Sequence, residues 1–282
     1  MNFPNYFADC ESDYKNAKFV IFGVPYDKTS SFRRGAAKAP DEIRNSSWNF
    51  ETFDLRTGHD ISDVKIHDYG NLDVKSLSTD KMINSVNKFT SQLLKDKKIP
   101  VAIGGEHSIT SGIIKAFPKD IAVLSFDAHM DFRDEYENDK YNHACVIRRV
   151  SDYVSVENIA VVGVRSAEKE EYEKAKELGL FFIDSFSFEK IGVEQVIKKL
   201  ESQFKNKSIY VTLDIDVIDT SYAPGTSTPE PFGLKPFDVL SIIEHFSSQM
   251  IGFDVVEVCP PYDNGETSLL AGKIIRSLIN HL

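Results

Sequence analysis

Seven short apolar runs recur along the chain, each followed by polar or turn-forming residues: FVIFGV (19–24), VAIGG (101–105), IAVLSF (121–126), IAVVGV (159–164), LFFI (180–183), IYVTLDI (209–215) and IGFDVVEV (251–258). Their hydrophobicity is nearly continuous, which is the habit of strands covered on both faces in a parallel sheet. Between them the period changes to that of a helix. The clearest case runs from about Asp80 to Lys97 after Thr79 as N-cap, with Met82, Ile83, Val86, Phe89, Leu93 and Leu94 on one face. Further helices are expected over 168–178, 189–204, 236–247 and 267–281. Strands alternating with helices predict an α/β fold with a helix-flanked, mostly parallel sheet, whose ligands gather beyond the carboxyl ends of the strands. No repeat, low-complexity tract or linker-like stretch interrupts this pattern, so residues 1–282 are read as a single domain.

Composition narrows the partners. A formal charge of -10 argues against nucleic acid or an anionic membrane and tolerates a cationic ligand. Cys10, Cys145 and Cys259 are odd in number, widely spaced and without a CxxC, so neither a disulfide framework nor a zinc knuckle is indicated. No signal segment and no apolar run of membrane-spanning length is present, and a cytoplasmic protein is expected.

The candidate chemistry sits where apolar runs end. GGEHS supplies Glu106 and His107; FDAHMD supplies Asp127, His129 and Asp131; LDIDVID supplies Asp214, Asp216 and Asp219. In an extended chain, positions i, i+2 and i+4 face one way, so Asp127, His129 and Asp131 would leave the strand together. Taken alone, Asp214 and Asp216 would equally serve as caps or turn formers, and His107 as a loop histidine. Together, four carboxylates and two imidazoles without a thiolate suit divalent cations such as Mn²⁺, which would relieve the repulsion among them. Six ligands exceed what one tetrahedral ion uses, and a two-metal site would share some of them. Glu106, adjacent to His107, would face the other way and is left out.

At these residues the chain resembles the ureohydrolase family of arginases and agmatinases. GGEHS, SFDAHMDFR, NHACVIRR, VTLDIDVIDTSYAPGTSTPEPFGL and GFDVVEVCPPYD fall in the family's order, and GVPYDKTSSFRRGAAKAPDEIR (23–44) resembles the agmatinase N-terminal segment. The resemblance implies a three-layer α/β/α fold around a parallel sheet of roughly eight strands. It further implies two Mn²⁺ per subunit, one on His107 and Asp131, the other on His129 and Asp216, with Asp127 and Asp214 bridging. His143 matches the family's proton-shuttling histidine, Glu257 its guanidinium-binding glutamate, and Asp131 would also pass a proton to the leaving amine.

The implied reaction is attack of a metal-bridging hydroxide on a small cationic guanidino substrate. Agmatine, giving urea and putrescine in polyamine biosynthesis, is favoured by YAPGTSTPEP (222–231) and by DFRDEYENDKYNHA after the third aspartate, where arginases carry polar residues for an α-carboxylate. Asp134, Glu135, Glu137 and Asp139 offer negative charge near its far ammonium, although such a run is more often a solvated acidic loop. An inward Arg133 would instead favour 4-guanidinobutyrate, 3-guanidinopropionate or arginine. The family also implies a homo-oligomer, a trimer or hexamer. Two readings from other classes are a single-zinc amidohydrolase on the same architecture and a metal-storage or assembly role; neither accounts for His143 and Glu257 beside the metal motifs.

Overall fold

The computed structural model describes residues 4–282. In chain order its strands and helices are β1 (Phe19–Val24), α1 (Ala39–Ser47), β2 (Ile66–Asn71), α2 (Thr79–Lys95), β3 (Ile99–Gly104), α3 (Ile109–Ile114), β4 (Ala122–Phe126), α4 (Val146–Val150), β5 (Ile159–Val164), α5 (Lys169–Glu177), β6 (Phe181–Asp184), α6 (Ser185–Ile191), α7 (Val193–Phe204), β7 (Ile209–Asp214), α8 (Pro236–His245), β8 (Met250–Val256) and α9 (Glu266–His281). The strands form one eight-stranded sheet in the order β2-β1-β3-β8-β7-β4-β5-β6, and every pairing is parallel.

The continuous apolar runs now divide by their period of two. On β1, Phe19 and Ile21 enter one hydrophobic cluster with side chains of α1, α6, α7, α8 and α9. Val20, Phe22 and Val24 enter the other, against α2, α3, α4 and α5. The inner strands thus feed two cores, and the result is the three-layer α/β/α arrangement expected from the sequence.

Local departures from the sequence reading have simple causes. Ser78, extended at φ -69° and ψ 160°, precedes α2, and Thr79 is its first helical residue. The helix expected over 189–204 is two helices, because Gly192 at φ 76° leaves the helical region between them. Strand β2 was missed: IHDYGN buries only Ile66 as an apolar residue and lies at the sheet edge. Helices α3 and α4 lack the two turns that make a helical period legible, and α1 was also missed. All three cysteines are free, and among the described residues no helix is long and apolar enough to cross a membrane.

The edge strand is fastened by charge where it lacks apolar side chains. Arg44 of α1 is buried and donates from Nε and Nη2 to Asp68 of β2, at 2.7 and 2.9 Å, and from Nη1 to Asn71 at 2.6 Å. Removing one partner leaves the other charge buried and unpaired, which typically costs about 3–5 kcal/mol. Asp68→Ala is therefore expected to lower unfolding stability by about that amount. A urea titration giving a loss under about 1 kcal/mol would show that the pair behaves as a solvated surface bridge.

Candidate metal centre and its cavity

Four strands that are neighbours in the sheet, β3, β8, β7 and β4, deliver the polar residues at their carboxyl ends. After β3 the backbone passes so close to the loop after β1 that a Cβ on Gly105 would lie 2.0 Å from the carbonyl oxygen of Tyr26, which already accepts the N–H of Glu106 at 2.7 Å. Only glycine fits there. This contact turns His107 toward the strand ends.

The six clustered side chains lie close together, with Asp131 outside the two tightest groups. His107 Nδ1 lies 3.1 Å from Asp127 Oδ2, 3.4 Å from Asp214 Oδ2 and 3.5 Å from Asp131 Oδ2. His129 Nδ1 lies 2.9 Å from Asp216 Oδ2 and 3.6 Å from Asp127 Oδ1. Two groups have donor atoms close enough to hold a metal ion, His107 with Asp127 and Asp214, and His129 with Asp127 and Asp216. Asp127 belongs to both. Asp219 does not join them; it accepts from Ser221 and Gly233 and shapes a turn.

Backbone strain contributes to the convergence. Asp131 and Glu257 have φ of 49° and 62°, values that non-glycine residues adopt at a cost of order 1–3 kcal/mol. Both are held by their own backbone groups. The Asp131 carbonyl accepts Ile147 N–H and Arg148 N–H at the start of α4, while Glu257 N–H donates to Gly105 O and its carbonyl accepts Ser227 N–H.

Orientation of His107 is set from behind. Buried Asp254 accepts hydrogen bonds from Tyr210 Oη, Thr110 Oγ1 and Thr212 Oγ1. The Thr212 hydrogen is therefore committed, and its oxygen accepts from His107 Nε2 at 2.9 Å. The Nδ1 lone pair is left facing the carboxylates. Asp216 is held by Ala128 N–H and Thr228 Oγ1, and Arg165 donates to the carbonyls of Asp216, Glu230 and Pro231, pinning this loop.

Electrostatics shows what the cluster lacks. Burial alone would lower both histidines, yet the surrounding carboxylates raise His107 and His129 well above their ordinary value. Burial, with repulsion from Asp127, pushes Asp131 up to about 7, and burial with Asp216 and Asp127 raises Asp214 well above the carboxylate range. Imidazoles that gain protons and carboxyls that keep them answer one need, positive charge among crowded acids. Moreover His107 Nδ1, Asp127 Oδ2 and Glu257 Oε2 are buried without a hydrogen-bond partner. An all-oxygen-and-imidazole set with such orphaned atoms fits divalent cations.

The cluster opens on a cavity of about 210 Å³ whose walls include Asp131, His143, Glu257, Ser31, Arg133 and Glu171. This is below the roughly 300–1,000 Å³ of drug-sized ligand sites, so the ligand is small. Glu257 Oε1 accepts His107 N–H at 2.6 Å, and burial pushes its carboxyl up to about 8. Burial pushes His143 down to about 4. Arg133 does reach the cavity, but its guanidinium is engaged, with Nε 3.4 Å from Glu171 and Nη2 3.6 Å from Glu168, over the Tyr136 ring.

The acidic loop takes the solvated reading and not the ammonium-facing one. Asp134 is exposed and pairs with Arg148 and Arg149, and neither it nor Glu135, Glu137 or Asp139 lines the catalytic-side cavity. The acid that does line it, Glu171 on α5, escaped sequence reasoning because it reads as an ordinary surface-helix glutamate. Thr29, Ser31 and Thr212 were missed for the same reason: each is an unremarkable polar residue until the fold sets it beside a histidine, and Asp254 until the fold sets it beside Thr212.

Comparison with known proteins bears on this site. The arginase family model matches residues 17–280. An agmatinase of Halalkalibacterium halodurans is 33% identical over 280 residues, covering 97% of this chain and 95% of that protein. An N(1)-aminopropylagmatine ureohydrolase of Thermococcus kodakarensis is 35% identical over 265 residues, covering 93% and 89%. The crystal structure of agmatine ureohydrolase of Thermoplasma volcanium superposes with a TM-score of 0.95 at 40% identity, covering 100% of this chain and 95% of that one.

A ligand that binds only the folded state stabilises it, by about 2.7 kcal/mol at a free concentration 100 times its Kd. Divalent cations are thus expected to raise the melting temperature of chelator-stripped protein, Mn²⁺ among them. An unchanged melting curve would count against the cluster as a cation site.

Proposed function

We propose that this chain, a ureohydrolase belonging to the arginase family, hydrolyses the guanidinium group of agmatine to urea and putrescine. The observation that carries the reading is one cavity lined by Asp214 and His129, a member of each of the two overlapping metal-competent groups, together with Glu257 and His143. We assign one Mn²⁺ to His107 and Asp131 and the other to His129 and Asp216, with Asp127 and Asp214 shared. When bound, the two ions would supply Lewis acidity and a water of lowered pKa.

The residues of the chain do the rest. Glu257 Oε1 is fixed by His107 N–H, so its free Oε2 can accept an N–H of the planar guanidinium and hold the central carbon. The substrate's cation then offsets the cost of burying an ionised Glu257. Water adds to the guanidinium carbon, the bond to the amine nitrogen breaks, and urea and an alkylammonium result. Asp131 carries the proton from water to the departing nitrogen, and His143 exchanges protons with solvent.

The distal end of the substrate meets Arg133, already paired with Glu168 and Glu171, so a carboxylate would have to compete with two acids for it. This favours an amine over a guanidino acid. A second reading rests on an adjoining groove of about 240 Å³, which shares Arg133, Tyr136 and Glu171 with the cavity and adds Asp134, Glu135, Glu168 and Glu170. Its net negative charge suits an agmatine lengthened by an aminopropyl group. By family resemblance the chain is read throughout as one functional unit, cytoplasmic and assembled as a homo-oligomer, a trimer or hexamer, which sedimentation tests.

Urea release by Mn²⁺-loaded protein, compared as kcat/KM, is expected to rank agmatine above arginine, 4-guanidinobutyrate and 3-guanidinopropionate. Preference for a guanidino acid would move recognition to Arg133, and preference for N(1)-aminopropylagmatine would move it to the groove. Among variants, Asp127→Ala should lose metal and activity together, since the shared ligand is gone. Glu257→Gln should keep the metal and lose about 1.5–3 kcal/mol of guanidinium binding, a roughly 10- to 150-fold rise in KM. His143→Ala should keep both and slow kcat by about 100-fold; metal lost from that variant would overturn the ligand assignment.

A further inference from the structure

Glu106 is fully buried one residue from the metal cluster, yet points away from it. Its carboxylate accepts three hydrogen bonds, from Ser108 Oγ at 2.6 Å and from Thr29 Oγ1 and Thr29 N–H at 2.7 Å each. The single hydrogen of the Thr29 hydroxyl is therefore spent on Glu106. What remains on that oxygen are lone pairs, and they face two groups of His143: its backbone N–H at 3.0 Å and its ring Nδ1 at 3.2 Å.

Two acceptors cannot bond to each other, so Nδ1 must carry the hydrogen. A neutral imidazole protonated at Nδ1 has its lone pair on Nε2, which lies on the side of Ser31, a cavity residue, at 3.5 Å from Ser31 Oγ. We infer that Glu106 and Thr29 are positioning residues that fix the tautomer of His143, so that Nε2 meets the cavity as the proton-accepting atom. The arrangement mirrors Asp254, Thr212 and His107, where a committed threonine hydrogen fixes the opposite tautomer and leaves Nδ1 free. In both, a buried carboxylate acts through a hydroxyl on a ring it does not touch.

The role for His143 in proton exchange rests on the function proposed above; the tautomer does not. Two measurements keep them apart. In full-length, Mg²⁺-loaded protein with ¹⁵N-labelled histidine, the signals lost in His143→Gln identify this ring. Its proton is expected on Nδ1 in the native chain and redistributed between the nitrogens in Thr29→Val. A native ring protonated at Nε2 would overturn the inference whether or not urea is released.

In turnover, Thr29→Val is expected to lower kcat about 10- to 100-fold with KM within about threefold and metal content unchanged, while Thr29→Ser restores most of kcat. Combined with His143→Ala, Thr29→Val should cost little more than His143→Ala alone, because both act through one ring. Losses that multiply, a change confined to KM or metal content, or no rescue by serine would each overturn it.

Discussion

Four carboxylates at the ends of adjacent parallel strands repel one another, and the architecture of the site follows from the need to hold them together. Asp127, Asp131, Asp214 and Asp216 are all buried, so water cannot screen them. The protein answers partly with His107 and His129, partly with backbone N–H groups aimed at carboxylate oxygens, such as those of His129, Ala128 and Asp216. What is left over is a demand for positive charge, which is what makes the cluster a candidate metal centre. Strands β3, β8, β7 and β4 lie side by side in the sheet, and that adjacency concentrates the charge.

Around this centre two histidines, His107 and His143, each have one ring nitrogen against a threonine hydroxyl. Hydroxyls of Thr212 and Thr29 are the intermediaries, each with its hydrogen given to a buried carboxylate. A serine or threonine has one hydrogen to donate, which is why the commitment of that hydrogen propagates to the ring beyond. The strained backbone at Asp131 and Glu257 belongs to the same economy: both carboxylates line one cavity, and hydrogen bonds of their own peptide groups, with α4 for Asp131 and with Gly105 and Ser227 for Glu257, hold the strain.

Arg133 stands in the wall of the cavity with its charge already matched by Glu168 and Glu171, so it shapes the site more than it attracts anions. The acidic residues 134–139, which follow Asp131 in the sequence, turn toward α4 or solvent, and Asp134 is spent on Arg148 and Arg149. Proximity along the chain was a poor guide to the charge the substrate meets.

By itself the sequence determined the strand runs, their burial on two faces and the spacing of Asp127, His129 and Asp131, because a strand's period of two is local and sequence-encoded. It also marked the strand ends that carry the charge, while the sheet order, which sets β3, β8, β7 and β4 side by side, decided which of those side chains meet and left Asp219 out. Edge strand β2 stayed hidden because its stability comes from Arg44, 24 residues from Asp68, and not from an apolar pattern. The tertiary structure alone decided that Thr29 meets His143 across 114 residues, that Thr212 meets His107 across 105, and that Glu171 meets Arg133 across 38. Those contacts leave no trace in local composition, because a hydroxyl or carboxylate acquires its role only from the partner that folding brings within 3 or so ångströms.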